Sequence, residues 1–568
     1  MGENIVIIGA VALGPKVACR VKRLHPNANV IMLDQGELIS YGGCGIPYFI
    51  SGDVSDPNQL RSTSFHMLRD IKFFEDCKDV KVLVNTKAVY IDRKRKLVKI
   101  ENIKTGDKKE LPYDKLVIAT GSKPRKLDIP GSYLKGIYTI SGLDKAIDIK
   151  KEIVSGNVEK AVVIGAGAIG LEIAEALSDM WGIETHVIEL MHQILPGIVS
   201  FDLAKIAQNH MEKHGVNFYL SEKVKAFEGK DRVSKVITDK RSLDADLVII
   251  AIGVEPNSEL AKDAGLNIAM SGGIIVDRYM HTSDPDIYAG GDCVAIPNLV
   301  TGKLGYFPLG SLANRQGRVI GTNICGGNAV FDGAVGSFVI KLFDIAVAST
   351  GLSPESANKE GFNVINAFVA QFDRAHFYPE KEMMFLELVV DNDTGRVLGL
   401  QGLGKNKDAV MGRISSVAGI LKYRPHVSDI SNYELPYSPP FSSAMDILNA
   451  VANVAENMMQ GRAQIIDLKT FSDWWLSKKK KEFLFLDCRE WGNAGPYVEK
   501  YPDIWRNIPQ GQLRYRIHEL PKDKRIILIC NTGVRSYEAQ LILKNHGYTD
   551  TYNVQGGMAA IKDWGIDI

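Results

Sequence analysis

The sequence predicts an α/β protein of several domains, with an α+β segment interposed before a last α/β domain. Three observations carry this. Glycine-bearing turns follow short apolar strands at two places, around residues 9–14 and 165–170. Alternating short strands replace that pattern after about residue 330, and a separate βα pattern begins near residue 465. The chain is 568 residues long, and single cores stop growing at roughly 250–300 residues, so about three or four domains are expected.

Composition narrows the class. Apolar residues make up 45% and charged residues 24% of the chain, the balance of a soluble globular protein with ample core. The net charge is +1 with both signs interspersed, so the footprint of a nucleic-acid binder is missing. The N-terminal apolar run is too short and lacks the basic flank of a signal peptide, and no stretch approaches the ~18 apolar residues of a membrane span. Neither nucleic acid nor membrane is expected as a partner. The seven cysteines, Cys19, Cys44, Cys77, Cys293, Cys325, Cys488 and Cys530, form neither a CxxC pair nor a zinc spacing. No metal is expected, and a reducing cytoplasm fits best.

The first strand, Asn4-Ile-Val-Ile-Ile-Gly9, leads into a glycine turn and a helix of small residues, and a second strand ends on Asp34. This is a dinucleotide-binding βαβ, although Gly9-Ala-Val11-Ala12-Leu-Gly14 has Val11 where a glycine would allow close approach to a pyrophosphate. The second unit is complete: Gly165-Ala-Gly167-Ala-Ile169-Gly170 lies between strand and helix, and Glu189 ends the next strand. The helix N-terminus holds a pyrophosphate, and Glu189 accepts from ribose hydroxyls and repels a 2′-phosphate, which favours NADH; the neighbouring His192 softens that preference. Two Rossmann-like units imply two nucleotides. The strand end Ala119-Thr120-Gly121-Ser122 lies between the two units, and the strand Asp286 to Asp292, ending on an acid, lies downstream of both.

Past residue 330, Phe338-Val-Ile-Lys-Leu and Met384 to Val390 read as short strands, with Asp391-Asn-Asp-Thr-Gly a hairpin turn. Ala450 to Gln464 reads as helical. Phe483 to Asp487 and Arg525 to Cys530 then read as strands of a further α/β domain, and Lys478 to Lys481 as a solvated basic face.

Together, the two nucleotide units, the ATGS turn and the YAGGDC strand end resemble the FAD/NAD-linked disulfide reductase superfamily over about residues 1–450. Ser40-Tyr-Gly-Gly-Cys44-Gly-Ile-Pro-Tyr48 resembles the single-cysteine SFxxCGxPY motif of coenzyme A disulfide reductases and their persulfide-reducing relatives. Leu435 to Asp446 is similar to the YAPPFSSAKDP segment of the same subfamily, and the last hundred or so residues resemble a rhodanese domain, with Asp487-Cys-Arg489 and the loop Cys530 to Arg535 as its marks. The resemblance implies FAD-binding parts at 1–148 and 276–330, NAD(H) binding at 149–275, dimerisation at 331–450, a linker at 451–464 and a rhodanese domain at 465–568. It implies FAD, NADH and coenzyme A as cofactors, and a homodimer acting on CoA persulfide, polysulfide or CoA disulfide. Asp292 then meets the FAD ribityl chain, and Ser40, Gly253 and Ala313 join the cofactor contacts.

No second cysteine stands four residues from Cys44, since those places hold Ser40 and Tyr48, so the oxidised state needs an external thiol. The resemblance implies a mixed disulfide with coenzyme A. A helix start and a neighbouring flavin are expected to lower the Cys44 pKa. Tyr437 is the candidate proton donor, reaching a partner subunit's cysteine; Tyr378, in Phe377-Tyr378-Pro379 where the family has Tyr-Tyr-Pro, is a second candidate. Arg20, Lys22, Arg23 and Arg61 are candidate cations for CoA phosphates, with Arg20 and Arg23 at CoA-contacting positions of the family. In the last domain a persulfide on Cys530 is held by backbone N–H groups and Arg535, and Cys488 reads as a core thiol. Two rival readings exist. One is a flavin NADH peroxidase or oxidase cycling Cys44 through a sulfenic acid, against which Ala12 replaces that group's histidine. The other is a noncatalytic rhodanese docking module, against which stand Cys530 and Arg535.

Overall fold

The computed structural model describes residues 2–478 and 480–568; Lys479, inside the basic run, lies outside the described residues. The chain divides into two compact units, one holding residues up to Leu190 with Val216–Ala334 and the other Met191–Gly215 with Val335–Ile568.

The first unit contains two five-stranded parallel sheets. In one the strand order is Ile287–Ala289, Lys115–Ile118, Asn4–Ile8, Asn29–Leu33, Lys81–Leu83. In the other it is Val216–Leu220, Glu184–Glu189, Lys160–Ile164, Leu247–Ile250, Ile137–Thr139. The central strands are near-continuous runs of Val and Ile because helices cover both faces of a parallel sheet. Ile5, Val6, Ile7, Leu116, Val117 and Ile118 have no exposed surface. Each sheet sends the turn after its first strand onto a helix, which places both glycine motifs at the carboxyl ends of strands, where ligands bind in such sheets.

The second unit contains an antiparallel sheet ordered Phe338–Leu342, Ile345–Gly351, Val397–Gly404, Met383–Asp391, Val364–Phe372, with the predicted turn at Asp391 joining two of its strands. It also contains a parallel sheet ordered Ile465–Ile466, Thr551–Val554, Arg525–Ile529, Phe483–Asp487, Trp505–Asn507. The helix read at Ala450–Gln464 runs from Ile447 to Met459 and buries Val451, Ala452 and Ala455 in the core of the antiparallel sheet. Most of the residues read as a linker are thus core helix, because their apolar positions recur at helical spacing.

Residues 191–215, read as part of the NAD(H)-binding domain, belong to the second unit. Buried polar contacts explain this. The Ser200 amide donates to Gln401 Oε1 at 2.6 Å, and its hydroxyl donates to Glu387. Asp202, on the helix Phe201–Lys213, accepts from the Leu468 amide and from the Trp564 indole, each at 3.0 Å.

Glu387 is fully buried, and that burial pushes its carboxyl up to about 8. Glu387 Oε1 has no hydrogen-bond partner among the described residues, so burial outweighs the Ser200 hydroxyl that donates to the other oxygen. The folded protein keeps this proton above the ordinary carboxylate value of 4.5 while the unfolded chain loses it, so stability from this group falls as pH rises toward about 8. Glu387→Gln is expected to melt above the wild type at about pH 9, by roughly 2–4 °C per kcal/mol of relieved charge burial, with the gap closing toward about pH 5. Thermal melts across that range check it.

Candidate functional site

The second glycine turn fits a dinucleotide. Gly165 has φ +103°, and an added Cβ there would meet the Ala251 carbonyl at 2.4 Å; one on Gly170 would meet the Gly165 carbonyl at 2.0 Å. These two glycines let strand, turn and helix close on one another. Gly167 is different, since an added Cβ would meet nothing within 4 Å. That is open space left for a ligand at the N-terminus of the helix Ala168–Glu175. Glu189 is buried and accepts from the Ala166 amide at 2.7 Å, which aims it at the same turn. His192 stacks on Phe201 at 5.6 Å.

The first turn has the same build. Asp34 accepts from the Ala10 amide at 2.8 Å and the Gly36 amide at 2.8 Å, while an added Cβ on Gly14 would meet the Gly9 carbonyl at 1.9 Å. Val11 and Ala12 form the turn, and Ser40 is buried with its amide on the Ala10 carbonyl. Thr120 donates to the Asn257 carbonyl at 2.6 Å, and Gly121 and Gly253 take positive φ with open space beside them. Ser122 donates to Asp292 at 3.4 Å, and burial pushes the Asp292 carboxyl up. Ala313 lies 3.7 Å from the Cβ position of Gly291. The residues present therefore suit two dinucleotides in this unit, the first with an acid aimed at a sugar and a second acid at Asp292.

Cys44 lies in the single turn Gly43–Gly45 that leads into the helix Ile46–Ser51, and it is exposed. Its Sγ is 3.6 Å from the Cβ position of Gly310, whose amide is a donor to it at the N-terminus of the helix Gly310–Ile324. The protein's own groups act against the lowering that a helix start gives a thiol. Partial burial, then the charges of Glu172 and Asp292, push the Cys44 thiol up, outweighing the amides. Glu172 follows the second glycine turn and accepts from Tyr48 Oη at 3.4 Å. The thiol thus sits where the two nucleotide motifs converge, a juxtaposition that local sequence does not show. Glu172→Gln is expected to lower the Cys44 pKa and speed its alkylation at neutral pH by a few-fold; iodoacetamide rates against pH measure this.

The helices Leu13–Leu24 and Gly310–Ile324 pack closely because Gly317 and Gly321 face Lys16 and Arg20: a Cβ on Gly321 would lie 2.7 Å from Arg20 Cβ. Between them lies a groove of about 270 Å³ lined by Lys16, Arg20, Arg23, Asn314, Arg315 and Arg318. The structure brings Arg20 and Arg23 together there and adds Lys16, Arg315 and Arg318, which the sequence reading missed although the i, i+3 arginines follow the Gly310 helix start. Lys22 does not join them. It pairs with Asp79 and donates to the Pro26 and Ala28 carbonyls. Arg61 is not among the lining residues and faces the Ile39 carbonyl at 3.4 Å.

In the second unit Tyr437 is 53% exposed beside the exposed Phe441 and Met445. Tyr378 is half-buried under the Arg374 guanidinium at 5.8 Å, and the Ala375 amide joins its loop to the Pro439 carbonyl. Cys530 ends a strand and is buried; its Sγ accepts from the Gly533 amide at 3.1 Å and the Ser536 hydroxyl at 3.2 Å. Arg535 begins the following helix, Val534–Asn545, half-exposed. Asp487 and Arg489 form a buried bidentate pair, and burial pushes the Cys488 thiol well above its ordinary range, consistent with a core thiol.

Two parallel sheets with nucleotide turns around one cysteine, followed by a dimerisation-type sheet and a cysteine-loop domain, define a pyridine-nucleotide redox enzyme that works through a thiol. The chain belongs to the pyridine nucleotide-disulphide oxidoreductase family, whose model matches residues 3–306, with the family's dimerisation domain at 337–448 and a rhodanese-like domain at 451–563. It is 35% identical over 458 residues to the NAD(P)H coenzyme A polysulfide/persulfide reductase of Pyrococcus horikoshii, covering 80% of this chain and 99% of that protein. The solved NAD-dependent persulfide reductase from A. fulgidus superposes with a TM-score of 0.92 at 39% identity, over 98% of this chain and 99% of that one. Reduced Bacillus anthracis CoADR-RHD gives 0.89 at 31% identity, over 99% and 98%. Both structural likenesses extend through the rhodanese region. Among the described residues no helix is long and apolar enough to cross a membrane.

Proposed function

We propose that this enzyme uses NADH to reduce the sulfur–sulfur bond of a coenzyme A persulfide, with polysulfide and CoA disulfide as further substrates of the same thiol, and that its rhodanese domain carries sulfur on Cys530. One observation carries the choice of substrate. The helix that presents the Gly310 amide to Cys44 also presents Arg315 and Arg318 to the cationic groove, about 8 and about 12 Å further along at ~1.5 Å per residue. An ADP-phosphate end held by the arginines therefore leaves a pantetheine arm room to run along this helix to the thiol.

FAD, when bound by the first turn and Asp292, supplies the two-electron relay between NADH and sulfur. The chain's residues do the rest. The Cys44 thiolate attacks the inner sulfur of CoA–S–SH, forming the Cys44–S–S–CoA bond and releasing hydrosulfide. Two electrons then split that bond into the Cys44 and CoA thiolates, and NADH and a proton balance the cycle. Glu172 and Asp292 disfavour a free Cys44 thiolate, while the Gly310 amide at the helix N-terminus favours it. Tyr437, exposed on the dimerisation domain, is our candidate to protonate a leaving thiolate across a homodimer, with Tyr378, beside Arg374, as the second candidate.

The carboxylate of Glu189 at the ribose end favours NADH over NADPH. Ala12 leaves the first turn without the histidine of the peroxide-reducing reading. The groove is tested by Arg315→Ala/Arg318→Ala. KM for CoA persulfide is expected to rise at least about tenfold, since a charge-assisted hydrogen bond contributes roughly 1.5–3 kcal/mol, while polysulfide turnover stays within about threefold. An equal loss with both substrates would remove the CoA assignment.

A further inference from the structure

Outside the redox site, the second unit brings together three metal-ligating side chains that the reaction does not use. His210 and His214 stand four residues apart at the end of the helix Phe201–Lys213, on one face, and Asp344 lies in the tight turn between the strands Phe338–Leu342 and Ile345–Gly351. One donor atom from each falls within 4.8 Å of the other two. We propose that these residues form a binding site for a divalent transition metal of the zinc class, which clasps the helix to the dimerisation-domain hairpin.

Several features support this beyond proximity. His210 Nε2 is buried and lies 2.6 Å from Asp344 Oδ1, yet it makes no hydrogen bond of acceptable geometry. A nitrogen lone pair and a carboxylate oxygen this close need a cation between them, which a proton or a divalent metal supplies. The other carboxylate oxygen is engaged by Lys405 at 3.1 Å, which fixes the orientation of the group as outer partners of metal ligands do. His214 is fixed through Nδ1, 2.8 Å from the His210 carbonyl, and its ring stacks on Phe343 at 4.4 Å. Phe343 is buried in the left-handed region at φ +55°, a conformation that bulky residues adopt where surrounding structure imposes it. The strained residue thus both aligns Asp344 and supports His214. The carbonyl end of the helix adds a favourable potential for a cation. Two imidazoles at i, i+4 with one carboxylate suit zinc, cobalt or nickel, with water completing the shell, and suit magnesium and calcium poorly.

The experiment uses the full-length flavin-bearing protein, treated with chelator and freed of it, and titrates Zn²⁺ against a chromogenic competitor. Thiols bind zinc too, so the reading is the difference between the wild type and His214→Ala, whose side chain is exposed. The wild type is expected to hold about one equivalent more than the variant, with Asp344→Asn weakening that equivalent at least tenfold. Co²⁺ at the same step is expected to give d–d bands without a thiolate charge-transfer band, and Zn²⁺ to raise the melting temperature of the wild type more than that of His214→Ala. Equal stoichiometry in wild type and variant, or loss of the difference together with a thiolate band, overturns the site.

Discussion

A Cys44→Ser protein binds its nucleotides and does not reduce CoA persulfide, polysulfide or CoA disulfide with NADH. The loss expected is at least about 10³-fold in kcat, because the sulfur that accepts both the substrate's sulfur and the incoming electrons is gone, whereas loss of an auxiliary group leaves the covalent route in place. Serine keeps the local geometry, since the single turn Gly43–Gly45 is held by backbone contacts and Cys44 is exposed. Its hydroxyl can neither form a disulfide nor leave as a stabilised anion. Flavin absorbance and reduction by NADH in single-turnover experiments are expected to persist while steady-state sulfide release stops. Persistence of both would show that the sulfur substrate is reduced elsewhere in the molecule.

Replacing Cys530 with serine has the opposite signature. Sulfur transfer from a donor such as thiosulfate or polysulfide to a thiol acceptor is expected to fall by at least about 10³-fold, while NADH-driven reduction of preformed CoA persulfide stays within about twofold. The basis is the cradle around this one atom: the Gly533 amide and the Ser536 hydroxyl both point at Cys530 Sγ, so a persulfide anion there has donors in place, with Arg535 at the next helix start. Cys488 is no substitute, since burial and the neighbouring Asp487 and Cys530 charges keep it protonated. Serine at 530 accepts the same two hydrogen bonds and leaves the fold intact, so the loss reads chemistry alone. Measuring both activities in both variants separates the two cysteines.

What local sequence carries and what it does not can be seen in particular residues. The Rossmann-like turns were legible because their geometry is local: Gly165, Gly167 and Gly170 each have a different steric task, and three tasks within six residues leave a readable trace. The loop Cys530 to Arg535 is legible for the same reason. Two charges that act on the Cys44 thiol, Glu172 and Asp292, are far away in the chain and arrive only by folding, so local sequence does not show them. The cationic groove was half-seen: Arg20 and Arg23 were read from one helix, but Arg315 and Arg318 come from another, brought close by Gly317 and Gly321. Lys22, a candidate on the same first helix, is instead engaged by Asp79 and the Pro26 and Ala28 carbonyls, partners that local sequence does not show. Residues 191–215 followed the nucleotide domain in sequence yet pack with the second unit, because Ser200 and Asp202 satisfy buried partners there.

The measurement that tests the central claim most directly is NADH consumption by the purified protein with CoA persulfide, polysulfide, CoA disulfide and hydrogen peroxide in parallel, with sulfide measured as product. The account predicts fastest turnover with CoA persulfide and one sulfide released per NADH consumed. Faster turnover with peroxide, and no sulfide, would contradict it and place Cys44 in a sulfenic-acid cycle instead.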